Sequence, residues 1–227
     1  DVEIGTAVNP EISESVRINV YKSLLQTYLG AKDMEQFNVY LAKARKEFPG
    51  DIDLINMELQ GYLDDEKYAE ALGILETAIE KDPTNSIYYY VKGFIYQINM
   101  KDGDQALLAY QEVINLLDAN EERTEDQTKN LFEAWYMSGV VWYDRGKKAL
   151  DEMGQLGMSS ADQKKYKKLD GEKSEYFNKS LPYFERAHAL NDQDVETVKA
   201  LWEVYRQKGE YEKVTEMKSK LDALTGQ

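Results

Sequence analysis

The sequence predicts an all-α chain of about five helical hairpins stacked into a superhelix. Three observations carry this. A set of residue intervals recurs in phase, with a period of 34 residues. Small and large residues alternate at steps of three and four, the spacing of one helix face. Charged residues make up 31% of the 227, while Gly and Pro are few and scattered, a composition suited to amphipathic helices.

The period is clearest at residues 68–83, YAEALGILETAIEKDP. From Tyr62 the steps are nine to Ala71, four to Leu75, three to Ala78 and five to Pro83. The same steps from Tyr28 reach Phe37, Leu41, Ala44 and Pro49, 34 residues earlier. A third copy runs Tyr96, Ala106, Tyr110, Val113, Asp118, with one extra residue before Ala106. In a fourth, Trp142 is followed by Ser180, Phe184, Ala187 and Asp192 after about 29 inserted residues. A fifth, weaker copy has Tyr205, Val214, Lys218 and Leu221. Upstream of each aromatic lies the other half of the unit, with Tyr89, Gly93 and Tyr96 in one copy and Trp135, Gly139 and Trp142 in the next. The small residues let two antiparallel helices approach closely, and the large ones fill the gaps beside them. One hairpin does not bury its apolar face alone, so the hairpins must stack.

Taken in order, Asn9-Pro10 makes a cap and first turn, so a helix is expected from Pro10 to about Gly30. Helices follow at roughly 33–48, 52–64, 67–81, 86–99 and 103–118. Pro49 and Pro83 end helices that do not continue through them, and Asp51 and Asn85 are placed to cap the next ones. Residues 119–126 read as an acidic linker, with Thr124 and Gln127 as a capping box. Two long helices are expected at about 128–156 and 160–190, the second opening on a Ser160–Gln163 box. The last pair spans about 194–208 and 210–224. Residues 1–8 read as a tail or the end of a truncated N-terminal region, since the sequence opens at Asp1 without initiator Met or signal peptide. The whole is expected to be a single domain, residues 1–227, with repeats at about 18–51, 52–85, 86–119, 131–192 and 195–224 and an insertion near 144–179.

This pattern resembles the tetratricopeptide repeat (TPR), W-x2-L-G-x2-Y, then A-x3-F, then P, over residues 18 to about 224. Leu25, Leu59 and Trp202 stand where that pattern has Gly. The resemblance implies a right-handed α-α superhelix whose concave groove is lined by the first helix of each pair. Counting turns from the packing residues gives the inward sets Asn19, Lys22, Gln26, Leu29 and Asp53, Asn56, Gln60, Leu63 for the first two copies. The next two give Ile87, Tyr90, Phe94, Gln97 and Glu133, Tyr136, Val140, Tyr143, and the last Glu196, Lys199, Glu203, Arg206. The candidate peptide- or protein-binding residues are therefore Tyr90, Phe94, Tyr136, Val140 and Tyr143, with Asn56 and Gln60. Aromatics bring large contact area at low entropic cost. The same side chains could equally pack against neighbouring repeats. Relatives that clamp a C-terminal carboxylate need Lys and Asn at set inward positions, and Gln26, Asp53 and Met57 break that pattern, so an acidic tail is not the expected ligand. The stretches FEAWYMSGVVWYDRG and LPYFERAHALNDQDVETVKALWEVYRQKGEYEKV are similar to exported repeat proteins of Gram-negative bacteria, which implies a periplasmic or cell-envelope location.

Composition narrows the function classes. A formal charge of −14 argues against nucleic acid, which needs a basic face. No apolar run approaches the roughly 18 residues of a membrane span. There is no Cys, and the one histidine, His188, has no further His or Cys to share a metal or a proton with. Asp102-Gly103-Asp104 lacks the spacing and closing Glu of a calcium loop, and no Gly-rich phosphate loop occurs. No catalysis, metal or cofactor is expected, and the partner is an unidentified protein or peptide.

The insertion reads as a helical hairpin in which Leu150, Met153 and Leu156 meet Tyr166, Leu169 and Tyr176. Between Asp144 and Lys179 it carries nine basic and seven acidic residues, leaving −16 on the rest. It is either a docking arm or a solvated extension of the core. The alternative to a binding scaffold is a self-assembly unit, a homodimer through this hairpin or an open repeat end. A third reading is a glycan or small-molecule binder in the aromatic groove.

Overall fold

The computed structural model describes residues 13–226, which hold ten α-helices and no strand. They gather into two compact units divided between Pro83 and Thr84. The first holds α1 (Glu14–Ala31), α2 (Met34–Glu47), α3 (Ile52–Asp64) and α4 (Tyr68–Lys81). The second holds α5 (Ser86–Phe94, continued by a π-helical turn, Ile95–Asn99), α6 (Gly103–Leu117), α7 (Glu125–Gly154), α8 (Ser160–Leu190), α9 (Val195–Lys208) and α10 (Tyr211–Thr225). The expected start of α1 at Asn9-Pro10 and the tail at 1–8 lie outside the described residues.

Each helix packs most heavily on its hairpin partner, α1 on α2, α3 on α4, and so on to α9 on α10. The repeat residues are the ones buried there. Ala71, Leu75, Ala78, Ala106, Tyr110, Val113, Phe184 and Ala187 are fully enclosed, as are Leu25 and Ala44. In the last repeat the expected spacing slips: Met217 is buried, while Lys218 faces solvent and pairs with Asp222. A lysine does not fill a core position when a methionine one residue away can.

Side-chain caps mark the starts. Asp51 accepts from the Leu54 N–H and Asn85 from the Ile87 N–H, as their places after Pro49 and Pro83 require. Thr124 and Gln127 form the reciprocal box. The second box is one residue earlier than the sequence suggests: Ser159 caps, and Asp162 returns the bond. Of two consecutive serines, the one with extended backbone (ψ 159°) is the cap, and Gln163 is left to reach the Met158 carbonyl. Hairpin turns repeat as well. Lys32, Glu66, Lys101 and Gly209 all take positive φ just after a first helix.

The extra residue of the third repeat has a structural counterpart. Met100 N–H bonds the carbonyl of Ile95, five residues back, at 3.0 Å. One inserted residue is thus taken up as a π-helical bulge without breaking the helix. The bulge rotates everything after it. Gln97, expected inward, turns to accept from the Tyr110 hydroxyl at 2.9 Å, and Ile98 becomes exposed instead.

The helices of the fourth hairpin, α7 and α8, are long as expected, at 30 and 31 residues, but the contacts at their far end differ from those expected. Ala149, rather than Leu150, joins Met153, Leu169 and Leu156 in a small cluster of its own. Tyr166 is exposed, and Tyr176 lies farther down, stacked on Trp142 at 6.1 Å.

Candidate functional site

In the first unit, the inward side chains of two successive repeats meet in one open cleft. Lys22, Gln26 and Leu29 come from α1, and Asp53, Asn56 and Gln60 from α3, at the spacing of single helix faces. The cleft has a volume of about 480 Å³ and is completed by Met34, Phe37, Met57, Gly61 and Asp64. Six of the eight side chains expected inward are therefore brought together. Asn56 and Gln60 are exposed, and Gln60 donates to Asp64 at 2.7 Å.

Lys22 is not a free cation. Its ammonium donates to Asp51 at 2.9 Å and to Asp53 at 2.6 Å. Partial burial alone would lower its pKa, but hydrogen bonds to Asp53 and Asp51 outweigh this and hold it above the usual lysine value. The charge that could grasp a ligand carboxylate is thus answered within the protein.

In the second unit the aromatic candidates divide. Phe94 is 40% exposed, and so are Ile87 on the same helix and Ile98 in the π-helical turn that follows, at 37% and 39%. Tyr90 is half-buried, its ring 6.5 Å from Phe94 and 6.1 Å from Tyr110. Tyr136 and Tyr143 are also half-buried, at 5.8 and 6.3 Å from the enclosed Phe184, and Tyr143 leans on Phe177 at 5.7 Å. Val140 packs against the same core. These three residues of α7 thus pack part of their surface against the core of α8 to α10 and leave the rest accessible.

Burial sets the electrostatics of this face. It pushes the Tyr90 phenol up to about 12, with the charge of Glu133 adding to the effect. The same cause raises Tyr136 to about 12, helped by Glu196 and Asp194. Glu133 is itself raised by burial and by Asp194, against the pull of Lys129. At neutral pH these phenols are hydrogen-bonding groups and not acids or bases. His188, lowered by burial and by Lys220, sits half-buried on α8, and its Nδ1 has no hydrogen-bond partner among the described residues.

What sequence reasoning missed is the lining supplied by second helices and by the bulge. Met34 and Phe37 belong to α2, a second helix, outside the first-helix faces expected to line the groove. Ile98 was signalled by the ten-residue step from Tyr96 to Ala106 where nine is the rule.

Solved structures share this architecture. MamA superposes with a TM-score of 0.63 at 14% identity, over 91% of this chain and 91% of that one. YrrB, described as a TPR protein with an unusual peptide-binding site, gives 0.57 at 16% identity, over 90% of this chain and 84% of that one. The fold is a tetratricopeptide-repeat fold. PilF of Pseudomonas aeruginosa is also similar, at 0.52 and 18% identity, over 92% of this chain and 77% of that one. No family model and no curated protein matches the sequence. Among the described residues, no helix of this TPR fold is long and apolar enough to cross a membrane.

Proposed function

We propose that the chain is a non-catalytic scaffold that binds a protein or peptide along the inward faces of its repeats. The observation that carries this is the α1–α3 cleft, where inward side chains of successive repeats surround one open volume of about 480 Å³. Its chemistry suits an extended peptide. The amides of Gln26, Asn56 and Gln60 can both donate to and accept from a main chain. Leu29, Met34, Met57 and Phe37 offer an apolar floor for a ligand side chain. With Lys22 paired and Asp64 at the edge, the cleft favours neutral or basic sequences. In the second unit, Phe94 and Ile98 beside Tyr90, and the open sides of Tyr136, Val140 and Tyr143, form a second surface of similar use. Glu133 lies near this aromatic face, which again disfavours an acidic ligand. The peptide-binding site named for YrrB, a protein of the same fold, supports the reading. The similarity to exported repeat proteins supports a cell-envelope location, which fractionation of the native host tests.

Capture from an envelope extract tests the function. The parent chain is compared with Asn56→Ala/Gln60→Ala and with Phe94→Ala/Ile98→Ser, each shown by circular dichroism to stay folded. A partner held by the parent and lost from a variant assigns the surface. If both variants capture what the parent captures, the inward faces are not the binding surface.

One observation favours self-assembly as a second reading. A second face of α1 presents Val16, Val20, Ser23, Leu24 and Thr27 around an open hollow, together with Asn19, which the sequence had placed inward; none of them is charged. Val16 and Val20 are 49% and 45% exposed. A dimer through this side would be abolished by Val16→Glu/Val20→Glu in sedimentation equilibrium, and a parent chain that sediments as a monomer at all concentrations rules it out.

A further inference from the structure

The tip of the α7–α8 hairpin departs from the rest of the protein in charge and in what it exposes. At 30 and 31 residues, these two helices are far longer than the 14–15 of α6, α9 and α10. The far-end core of Ala149, Met153, Leu156 and Leu169 is contributed by α7, α8 and their connecting turn alone. Between Gln155 and Leu169 there are four lysines and one acid, in a chain whose net charge is −14. That acid, Asp162, is occupied in accepting from the N–H and hydroxyl of Ser159. Lys165 and Lys168 lie 3.6 and 3.4 Å from Glu152 and Glu172, while Lys164 and Lys167 are exposed and without an ion pair among the described residues. At the turn itself Met158 is 94% exposed, and Tyr166 between the lysine pairs is 49% exposed.

We propose that this tip docks on an anionic lipid surface. The order of groups along the hairpin is the argument. Met158 stands in the turn, with Lys164 to Lys168 and Tyr166 roughly 6–12 Å behind the start of α8 at the rise of an α-helix. A bilayer presents hydrocarbon, then a zone favourable to tyrosine, then phosphates, over a similar depth. An apolar side chain can enter the acyl boundary while lysines behind it extend their amines to the phosphates. Charge complementarity selects an anionic surface.

The test is flotation of the full chain with vesicles of phosphatidylcholine plus phosphatidylglycerol and with phosphatidylcholine alone. Binding is expected to the anionic vesicles only, and is expected to weaken as salt rises. At roughly fivefold per lysine, Lys164→Gln/Lys167→Gln/Lys168→Gln should weaken it about 100-fold. Met158→Ser should weaken it with every charge intact. The altered side chains are exposed, so an unchanged melting temperature verifies the fold. Lys43→Gln/Lys46→Gln/Lys81→Gln, at exposed sites far along the chain, should bind as the parent does. The proposal is overturned if the parent does not float, or if the two triple variants lose binding equally. It also fails if the tip variant abolishes concentration-dependent self-association seen by light scattering while vesicles are ignored, which would make the acidic body of a second copy the partner.

Discussion

Replacing Gly139 by Ala tests whether the repeat glycines set the distance between paired helices. A Cβ at this position would stand 2.7 Å from Cδ1 and Cε1 of Phe184 and 3.0 Å from its Cζ. Ordinary carbon contacts lie at about 3.5–4.0 Å. The Phe184 ring has no free direction, since it is fully enclosed, with Tyr136 and Tyr143 beside it. Alanine gains about 1 kcal/mol of helix propensity over glycine. Forcing the ring or the helix aside costs about 3 kcal/mol, the upper end for overpacking a core. The net loss is then about 2 kcal/mol, which lowers a urea midpoint by about 1 M for a slope near 2 kcal/mol/M.

Two internal controls lie on the same hairpin. At Gly146 the Phe177 ring is 3.0–3.1 Å from the built Cβ, so Gly146→Ala should be milder. At Gly171 nothing lies within 4 Å, so Gly171→Ala should stabilise by up to about 1 kcal/mol. Phe184→Leu combined with Gly139→Ala should lose less than the two singles added, because the methyl then has room. The assay is urea unfolding followed by far-UV circular dichroism and by the fluorescence of Trp135 and Trp142 on α7. A Gly139→Ala chain with a midpoint at or above the parent's would refute close packing as the reason for glycine here.

Thr124→Ala removes one bond of the α7 capping box and should cost about 1 kcal/mol in thermal or urea unfolding. Glu66→Gly relieves a left-handed residue (φ 57°) in the α3–α4 turn and should gain about 0.5 kcal/mol, since the relief exceeds the added chain entropy; a loss would show that the turn carries no strain. Glu133→Gln should raise the melting temperature at pH 7. Burial, reinforced by Asp194, raises the folded pKa, so the folded state binds the proton more tightly and the ionised carboxylate destabilises it above that pKa. Solvent on the exposed part of Glu133 keeps the gain to roughly a few tenths of a kcal/mol, and it should vanish as pH falls below the ordinary carboxyl range.

Much of the helix map was legible from residues alone, because caps, proline stops and small–large spacing act over three or four positions. Asp51, Asn85 and Thr124 cap where local hydrogen bonding requires it, and Ala71, Leu75 and Ala78 are buried because they share one helix face. The extra residue before Ala106 was visible too, but not its consequence. A bulge that rotates Gln97 onto Tyr110 and exposes Ile98 is chosen by the packing of two helices, not by either one.

Exposure of the candidate site was decided only by the tertiary structure. The sequence placed Tyr136 and Tyr143 on the same face as Val140, yet Phe177 and Phe184, some forty residues later, cover part of each tyrosine. It also showed Lys22 as an inward cation, while the aspartates that neutralise it, Asp51 and Asp53, begin the next repeat. Periodicity assigns a side chain to a face because backbone geometry is local. Whether that side chain is free depends on solvent access and charge, which distant segments control once the chain has folded.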